Sequence, residues 1–196
     1  MNQREAQRLE TRTALAEHAL RLFNEKGFDE TTVEEIATAA GVSGRTFFLH
    51  FPTKAAAAFP DHGERVIDFT ERLGNGADHP DPIRHLCECL LGGVENDTPS
   101  RRTRYRLLAR VPALRDEDAR TDRDYEAVIA TYLLQNWGDS LDARVRANAV
   151  ANAVIGVVRA TLIAASENGI DARRTTLEIL HRMLGSPFDL PLQSLQ

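Results

Sequence analysis

The sequence predicts an all-α fold, and three observations lead to it. Apolar residues recur three and four positions apart through most of the 196 residues, as on one face of a helix. No segment keeps the apolar-polar alternation that is typical of a half-buried strand. Helix-capping residues, prolines and glycines stand where these periodic segments begin or end. Together they predict a series of helices with short connections.

The first predicted helix runs from about residue 9 to residue 26. Its apolar side chains follow the spacing of an amphipathic helix: Leu15, Ala19, Leu22 and Phe23. Gly27 ends this helix, and we expect Phe28 to fold back against it, a frequent contact past a helix end.

A second helix, a short turn and a third helix follow. Thr32 can cap the second helix, and Glu35 stands three residues on, which completes a capping box. Gly41 ends the helix where a left-handed backbone is needed. Ser43 is a good cap for the third helix, predicted over Gly44–His50.

The third predicted helix presents small and polar residues at its start and apolar residues to the interior. Gly44, Arg45 and Thr46 should be exposed, whereas Phe47 and Phe51 should be buried. A short helix held in this way can lie in the major groove of DNA with its first residues against the base edges. The pattern therefore predicts a helix-turn-helix.

This stretch resembles the DNA-binding domain of the TetR family of transcriptional regulators. Residues shared with the family signature are Thr32, Ile36, Ala37, Ala40, Gly41, Val42, Ser43, Thr46, His50, Phe51 and Lys54. The resemblance implies a double-stranded DNA operator as partner. It implies contacts to that DNA from Thr32, Ser43, Gly44, Arg45, Thr46, Phe48, His50 and Lys54.

Two residues depart from the family pattern. Phe48 replaces the usual tyrosine, so a hydroxyl that could contact a phosphate is missing. Arg45 replaces the usual glycine and adds a charged side chain facing the groove. Arg45 could bond to O6 and N7 of a guanine or contact a phosphate, and the sequence leaves both alternatives open.

The charge of the chain does not by itself favour nucleic acid. The net charge is −5, and acidic residues slightly outnumber basic ones in the first 60 positions. Screening limits charge effects to about 8 Å at physiological salt, so local sign matters more than net charge. Arg4, Arg8 and Arg12 near the first helix, with Arg45 and Lys54 beside the third, could supply the local positive charge. We expect a modest salt dependence of DNA binding.

Six further helices are predicted. Pro60 should kink or split the first of them, because proline removes a backbone donor and clashes with the preceding turn. Asp142 and Asp171 are expected to cap the last two. The approximate ranges are 54–73, 82–95, 101–110, 114–137, 143–168 and 172–184.

The helix over 143–168 has two neighbouring apolar stripes. One consists of Val150, Val154, Val157, Thr161 and Ala164, and the other of Ala147, Ala151, Val158 and Leu162. We expect one stripe to face the core and the other to face a second chain. TetR proteins dimerise through their last two helices, and this pattern is similar. A homodimer reading a near-palindromic operator is therefore expected.

Polar residues on the same helix suggest where an effector could bind. Asn148, Asn152 and Arg159 share one side, which is either a solvated face or part of a pocket wall. The segment 106–133 is similar to the ligand domain of regulators thought to sense acyl-coenzyme A-like molecules. The candidate ligand-binding residues are Tyr105, Arg106, Asn148, Asn152 and Arg159.

These observations predict a TetR-type regulator with two domains, a helix-turn-helix domain at 1–53 and a helical ligand-binding and dimerisation domain at 54–196. It would act as a repressor released by a small, largely apolar effector; the alternative is an activator or a ligand-independent regulator.

No catalytic motif stands out, so no enzyme activity, cofactor or metal is expected, although His85, Cys87 and Cys89 invite a metal interpretation. The charged N-terminus lacks the apolar core of a signal peptide, and no run of 18 apolar residues occurs. We expect no membrane partner and a cytoplasmic location.

Overall fold

A computed structural model describes residues 3–76, 79–94 and 98–185, and over these ranges the chain is helical with no strand. The all-α prediction is confirmed. The helices are α1 Gln3–Glu25, α2 Val33–Ala39, α3 Gly44–His50, α4 His62–Gly74, α5 Pro82–Val94, α6 Pro99–Leu108, α7 Pro112–Trp137, α8 Leu141–Asn168 and α9 Ala172–Leu184, with a 3₁₀ helix at Ala55–Ala58.

Helix boundaries agree best where a cap marks them. Thr32, Ser43 and Asp171 cap α2, α3 and α9 as predicted. The predicted start of α1 was wrong by six residues, because its first turns are exposed and carry no apolar pattern, although their residues favour helix. The cap of α8 is Ser140 instead of Asp142, and its hydroxyl accepts from the amide of Ala143.

The described chain forms two compact units. The described residues within 1–62 and 98–119 make the first unit, and those within 63–97 and 120–196 make the second. The first unit contains the predicted DNA-binding segment together with α6. These units describe packing; the functional division at residue 53 stays a prediction.

The first unit has a small aromatic and aliphatic core. Large buried side chains of α1, α2, α3 and the residue after α3 make up this core, and all of them are at most 2% exposed: Leu15, Phe23, Ile36, Phe47 and Phe51. The ring of Phe28 lies 4.9 Å from that of Phe23, centroid to centroid, so the predicted fold-back is confirmed. The core fixes α3 from its inner side.

The predicted break at Pro60 is also confirmed. The chain forms a 3₁₀ helix over Ala55–Ala58, passes through Pro60 and begins α4 at His62. Within the first unit, Nη1 of Arg104 on α6 donates to the carbonyl of Ala58 at 3.1 Å and contacts Oδ1 of Asp61 at 3.3 Å. Arg104 is only 5% exposed, so a buried cation links α6 to the segment around Pro60.

The second unit packs around α8, and one expectation about this helix was wrong. The same core cluster includes members of both predicted stripes, with Ala147, Ala151 and Val154 fully buried and Val150 and Val158 packed against them. The core therefore faces the boundary between the stripes, and neither stripe as a whole is free for a second chain. The side opposite the core is a third one, which we call the outer face of α8: Val145, Ala149, Gly156 and Ala160.

By length and composition alone, α8 is also apolar enough to span a membrane. The core helix of a soluble protein meets the same criterion, and four buried residues of α8, Ala147, Ala151, Val154 and Ile155, belong to the core cluster of the second unit. Packing in the core thus accounts for part of the apolar composition of this helix.

Candidate nucleic-acid interface

The start of α2 is held by a reciprocal cap. The Thr32 hydroxyl accepts from the Glu35 amide at 3.2 Å, and the Glu35 carboxylate accepts from the Thr32 amide at 2.8 Å. Lys26 at the end of α1 forms an ion pair with the same carboxylate. The hydrogen bond from Lys26, with those from Thr32, lowers the pKa of Glu35 to about 2. The charged carboxylate thus ties α1 to α2 throughout the neutral range.

The turn between α2 and α3 uses backbone geometry that its residues favour. Gly41 has φ +70°, a left-handed conformation that glycine adopts without strain. The amide of Val42 donates to the carbonyl of Ala37 at 2.9 Å, which closes the turn. Ser43 then caps α3 by accepting from the amide of Thr46 at 3.1 Å. These bonds fix the direction in which α3 leaves the turn.

The outward side of α3 carries one cation and two large apolar side chains. Phe47 is fully buried, and the opposite side of the helix presents Arg45, Phe48 and Leu49. Phe48 is 56% exposed and Leu49 is 70% exposed. Leu49 was missed by the sequence analysis, although its position two residues after the inward Phe47 could have indicated it.

All eight predicted DNA-contact residues reach the surface, but they differ in how accessible they are. Thr32, Ser43, Arg45 and Phe48 are exposed; Gly44, Thr46, His50 and Lys54 are half-buried. No residue that the structure describes forms an ion pair with Arg45, whose charge is therefore available to an external partner.

Lys54 is not available in the same way. Its ammonium donates to the carbonyls of Phe28 and Thr31, at 2.6 and 2.8 Å, and lies 4.2 Å from the centroid of the Phe28 ring. This cation closes the loop between α1 and α2 onto the segment that follows α3. Sequence reasoning placed Lys54 beside the DNA backbone and had no signal for these carbonyl contacts.

Arg12, like Lys54, binds backbone carbonyls of its own unit. Its Nε donates to the carbonyl of Pro60 at 2.9 Å, and its Nη1 donates to the carbonyl of His50. The guanidinium carbon lies 4.3 Å from the centroid of the Phe51 ring. Arg12 therefore ties α1 to the end of α3 and to the break before α4.

The imidazole of His50 is neutral at physiological pH. Burial lowers its pKa from 6.5, and the positive charges of Arg8 and Arg12 lower it further. Its Nδ1 is buried and has no hydrogen-bond partner among the described atoms. His50 thus offers a neutral ring at the end of α3 and adds no positive charge.

The candidate ligand-binding residues are divided between the units. Tyr105 and Arg106 belong to the first unit; Asn148, Asn152 and Arg159 belong to the second. Asn148 and Asn152 are exposed, and each side-chain amide donates to a carbonyl one turn back, at 2.8 and 2.9 Å. Nη1 of Arg159 lies 2.5 Å from Oδ2 of Asp122 on α7. Their role in effector binding stays a prediction.

The two cysteines lie in the core of the second unit. Burial raises the pKa of Cys87 to about 12, so this group is a thiol at neutral pH. The sulfur of Cys89 lies 3.6 Å from Nε2 of His85. Within the described ranges, no three His, Cys, Asp or Glu side chains are grouped so that they could hold a metal ion.

Comparison with known proteins gives matches over both units. The family model described as "Bacterial regulatory proteins, tetR family" matches residues 15–56, and the one described as "MftR C-terminal domain" matches residues 84–186. Together the matched ranges contain the helix-turn-helix and most of α5 to α9.

Two curated relatives are named as transcriptional regulators. TcmR of Streptomyces glaucescens is 30% identical over 67% of this chain, and MftR of Mycobacterium tuberculosis, named for mycofactocin biosynthesis, is 24% identical over 63%. The matched segments span 62% and 64% of these relatives.

A solved structure shows the same fold. Thermus thermophilus FadR, described as a TetR-family transcriptional repressor in complex with lauroyl-CoA, superposes with a TM-score of 0.57 at 21% identity. The match covers 92% of this chain and 98% of that one.

Proposed function

Because the chain belongs to the TetR family of bacterial transcriptional regulators, we propose that it binds a palindromic DNA operator as a dimer, through the outward side of α3. The observation that carries the proposal is the exposed Arg45 on a short helix whose start is capped and whose inner side is buried. Such a helix enters the major groove with little rearrangement, since its direction is already fixed.

Arg45 supplies the main polar contact in this proposal. A guanidinium can bond to O6 and N7 of one guanine, and such a contact discriminates between bases by about 1–3 kcal/mol. The hydroxyls of Ser43 and Thr46, on either side of Arg45 in the chain, are hydrogen-bonded to each other at 2.9 Å, and the one that accepts in this pair can donate to a phosphate. Lys54 and Arg12 act on the same interface from inside, because their cations hold the position of α3.

Dimerisation is assigned to α8 and α9. The outer face of α8 is lined by small residues that let a second helix approach closely, and α9 adds exposed apolar side chains. A two-fold axis through this surface makes the same patch meet itself and brings two copies of α3 to successive turns of the duplex, about 34–36 Å apart. The residues concerned are Val145, Ala149, Gly156, Ala160, Ile179 and Met183.

The second part of the proposal is release of the operator by a small, largely apolar effector. The support is that FadR of Thermus thermophilus, which shares the fold, was solved with lauroyl-CoA. An effector shifts the DNA-binding equilibrium only by its affinity difference between the bound and released states. We expect a thermal-shift screen of apolar compounds and acyl thioesters to find a ligand that raises the melting temperature and weakens operator binding.

Selection of bound sequences from random duplexes tests the DNA-binding proposal. The full chain should enrich an inverted repeat whose half-sites are centred about 10 base pairs apart or a multiple of this. The enriched duplex should bind at least about 1,000-fold more tightly than a scrambled one of equal length. Enrichment of no inverted repeat would overturn the proposal.

A further inference from the structure

The outward side of α3 is more apolar than a phosphate-binding surface requires. Among the described residues, nine large hydrophobic side chains are exposed, and two of them, Phe48 and Leu49, lie on this helix of seven residues. They are adjacent in the chain and are the most exposed residues of their type in the first unit. Single exposed apolar residues are ordinary, but an adjacent pair on the proposed DNA-facing side is a surface that needs a partner.

The two side chains lie beside Arg45. At about 100° per residue, Arg45, Phe48 and Leu49 fall within about 100° of one another around the axis of α3. Arg45 can therefore contact one base pair while Phe48 and Leu49 face its neighbours. The helix contains no acidic residue that would repel the DNA.

Phe48 packs against a buried ring of the same helix. Its ring meets the buried ring of Phe47 edge to face, with centroids 5.5 Å apart, and Phe47 in turn packs 5.7 Å from Phe51. This contact restricts the Phe48 ring and so reduces the conformational freedom that the ring loses on binding. Phe48 also has no hydroxyl, so it cannot donate to a phosphate and can contribute only apolar contact.

In the major groove, the 5-methyl group of thymine is the apolar group that distinguishes one base from the others. We propose that Phe48 and Leu49 read thymine methyl groups next to the base contacted by Arg45, and thereby help to determine the operator sequence. This inference rests on the proposed function and adds its specificity: each half-site contains at least one thymine whose methyl group is buried by α3.

The test removes only the methyl group. Each thymine of the selected operator is replaced by deoxyuridine in both half-sites at once, and the Kd is measured by fluorescence anisotropy with the full chain. Burying one methyl group contributes about 0.8 kcal/mol, which is about fourfold in Kd, so the symmetric pair should weaken binding roughly 15-fold. We expect this loss at one or two positions and no loss at the others.

Protein variants then assign each sensitive position. Leu49→Ala and Phe48→Ala should each bind the thymine operator more weakly, and each should abolish the deoxyuridine effect at its own position. The matched control is Ile67→Ala, which truncates another exposed apolar side chain, 61% exposed and located on α4. It should leave every deoxyuridine effect as in the unmodified protein.

The outcomes separate this inference from the proposed function. An operator that is selected and bound but tolerates deoxyuridine everywhere would overturn the inference and leave the proposed function intact. A deoxyuridine effect that persists in both alanine variants would also overturn it. If Leu49→Ala changes the sedimentation of the DNA-free protein and not the deoxyuridine effect, the surface contacts a protein instead. Failure to select any operator would overturn both proposals.

Discussion

The helix-turn-helix segment and α8 are both helical and apolar, yet only the first has its orientation determined locally. In the helix-turn-helix, the caps at Thr32 and Ser43 and the left-handed Gly41 fix each helix relative to the next within about 20 residues. In α8, 28 residues with small side chains on most sides leave the buried face to be decided by distant helices. Local hydrogen bonds determine a motif from its sequence, whereas tertiary packing decides which side of a long apolar helix is buried.

The comparison also distinguishes two uses of positive charge within the first unit. Arg45 is exposed and available to DNA, while Arg12 and Lys54 donate to backbone carbonyls of the same unit. Cations of the first kind should determine which sequence is bound. Cations of the second kind should determine how rigidly α3 is presented.

The largest expected effect tests whether the two cores are independent. Phe47→Ala and Leu133→Ala each remove a fully buried side chain, from the first and the second unit respectively. Replacing phenylalanine in a core costs about 3–5 kcal/mol, and replacing leucine about 2–5 kcal/mol. Hydrogen exchange should show lost protection confined to the unit that carries the change. Equal loss across both units for both variants would show a single cooperative core.

The next prediction concerns the outer face of α8. Ala160→Glu puts a charge on this exposed face and should convert the dimer to a monomer in sedimentation velocity experiments. Loss of the second half-site contact should weaken operator binding by about 100-fold or more. Thr131→Glu, on an exposed side of α7, is the matched control and should remain dimeric. A dimer that survives Ala160→Glu would remove this face from the interface.

Lys54→Met tests whether the Lys54 cation holds α3 in position or contacts the DNA. It removes two charge-assisted hydrogen bonds and a cation-ring contact while keeping the length of the side chain. We expect a stability loss of about 2 kcal/mol in denaturant unfolding. Operator binding should weaken with an unchanged slope of log Kd against log salt. A phosphate contact would instead lower that slope by about 0.9 per subunit.

The smallest effect is a pH dependence at His50. Because burial and neighbouring arginines lower its pKa below 6.5, the unfolded chain binds a proton more readily than the folded one. The free energy of unfolding therefore has its full value, as far as His50 is concerned, above pH 6.5. It decreases as the pH falls from 6.5 through the lowered pKa of the folded state. In thermal melts, His50→Gln should reduce this loss on acidification. An identical pH profile in the variant would show that His50 does not titrate in this way.

Much of the fold was predictable from the sequence, because most helices carry their own start and stop signals. The starts of α2, α3 and α9, the break at Pro60 and the glycine at position 41 all follow from local residue chemistry. The early start of α1 was not predictable from apolar spacing, since its first turns are exposed.

The site was predictable in its location and less so in its roles. The exposure of Arg45 follows from the register of α3, and the register could also have indicated Leu49. The contacts of Lys54 with two carbonyls could not be foreseen, because they join residues more than 20 positions apart. The sequence placed Asn148 and Asn152 on one side of α8, but this placement does not tell whether that side is solvated or forms a pocket wall.

The central claim is that the outward side of α3 reads the operator, and one variant tests it most directly. The operator affinity of Arg45→Ala/Thr46→Ala is measured against that of the unmodified chain and of Arg21→Ala, which loses an exposed arginine of α1. The account predicts at least about 30-fold weaker binding for the double variant, since one arginine contact is lost in each half-site. Its melting temperature and the affinity of Arg21→Ala should change little. An unchanged Kd in the folded double variant would contradict the account.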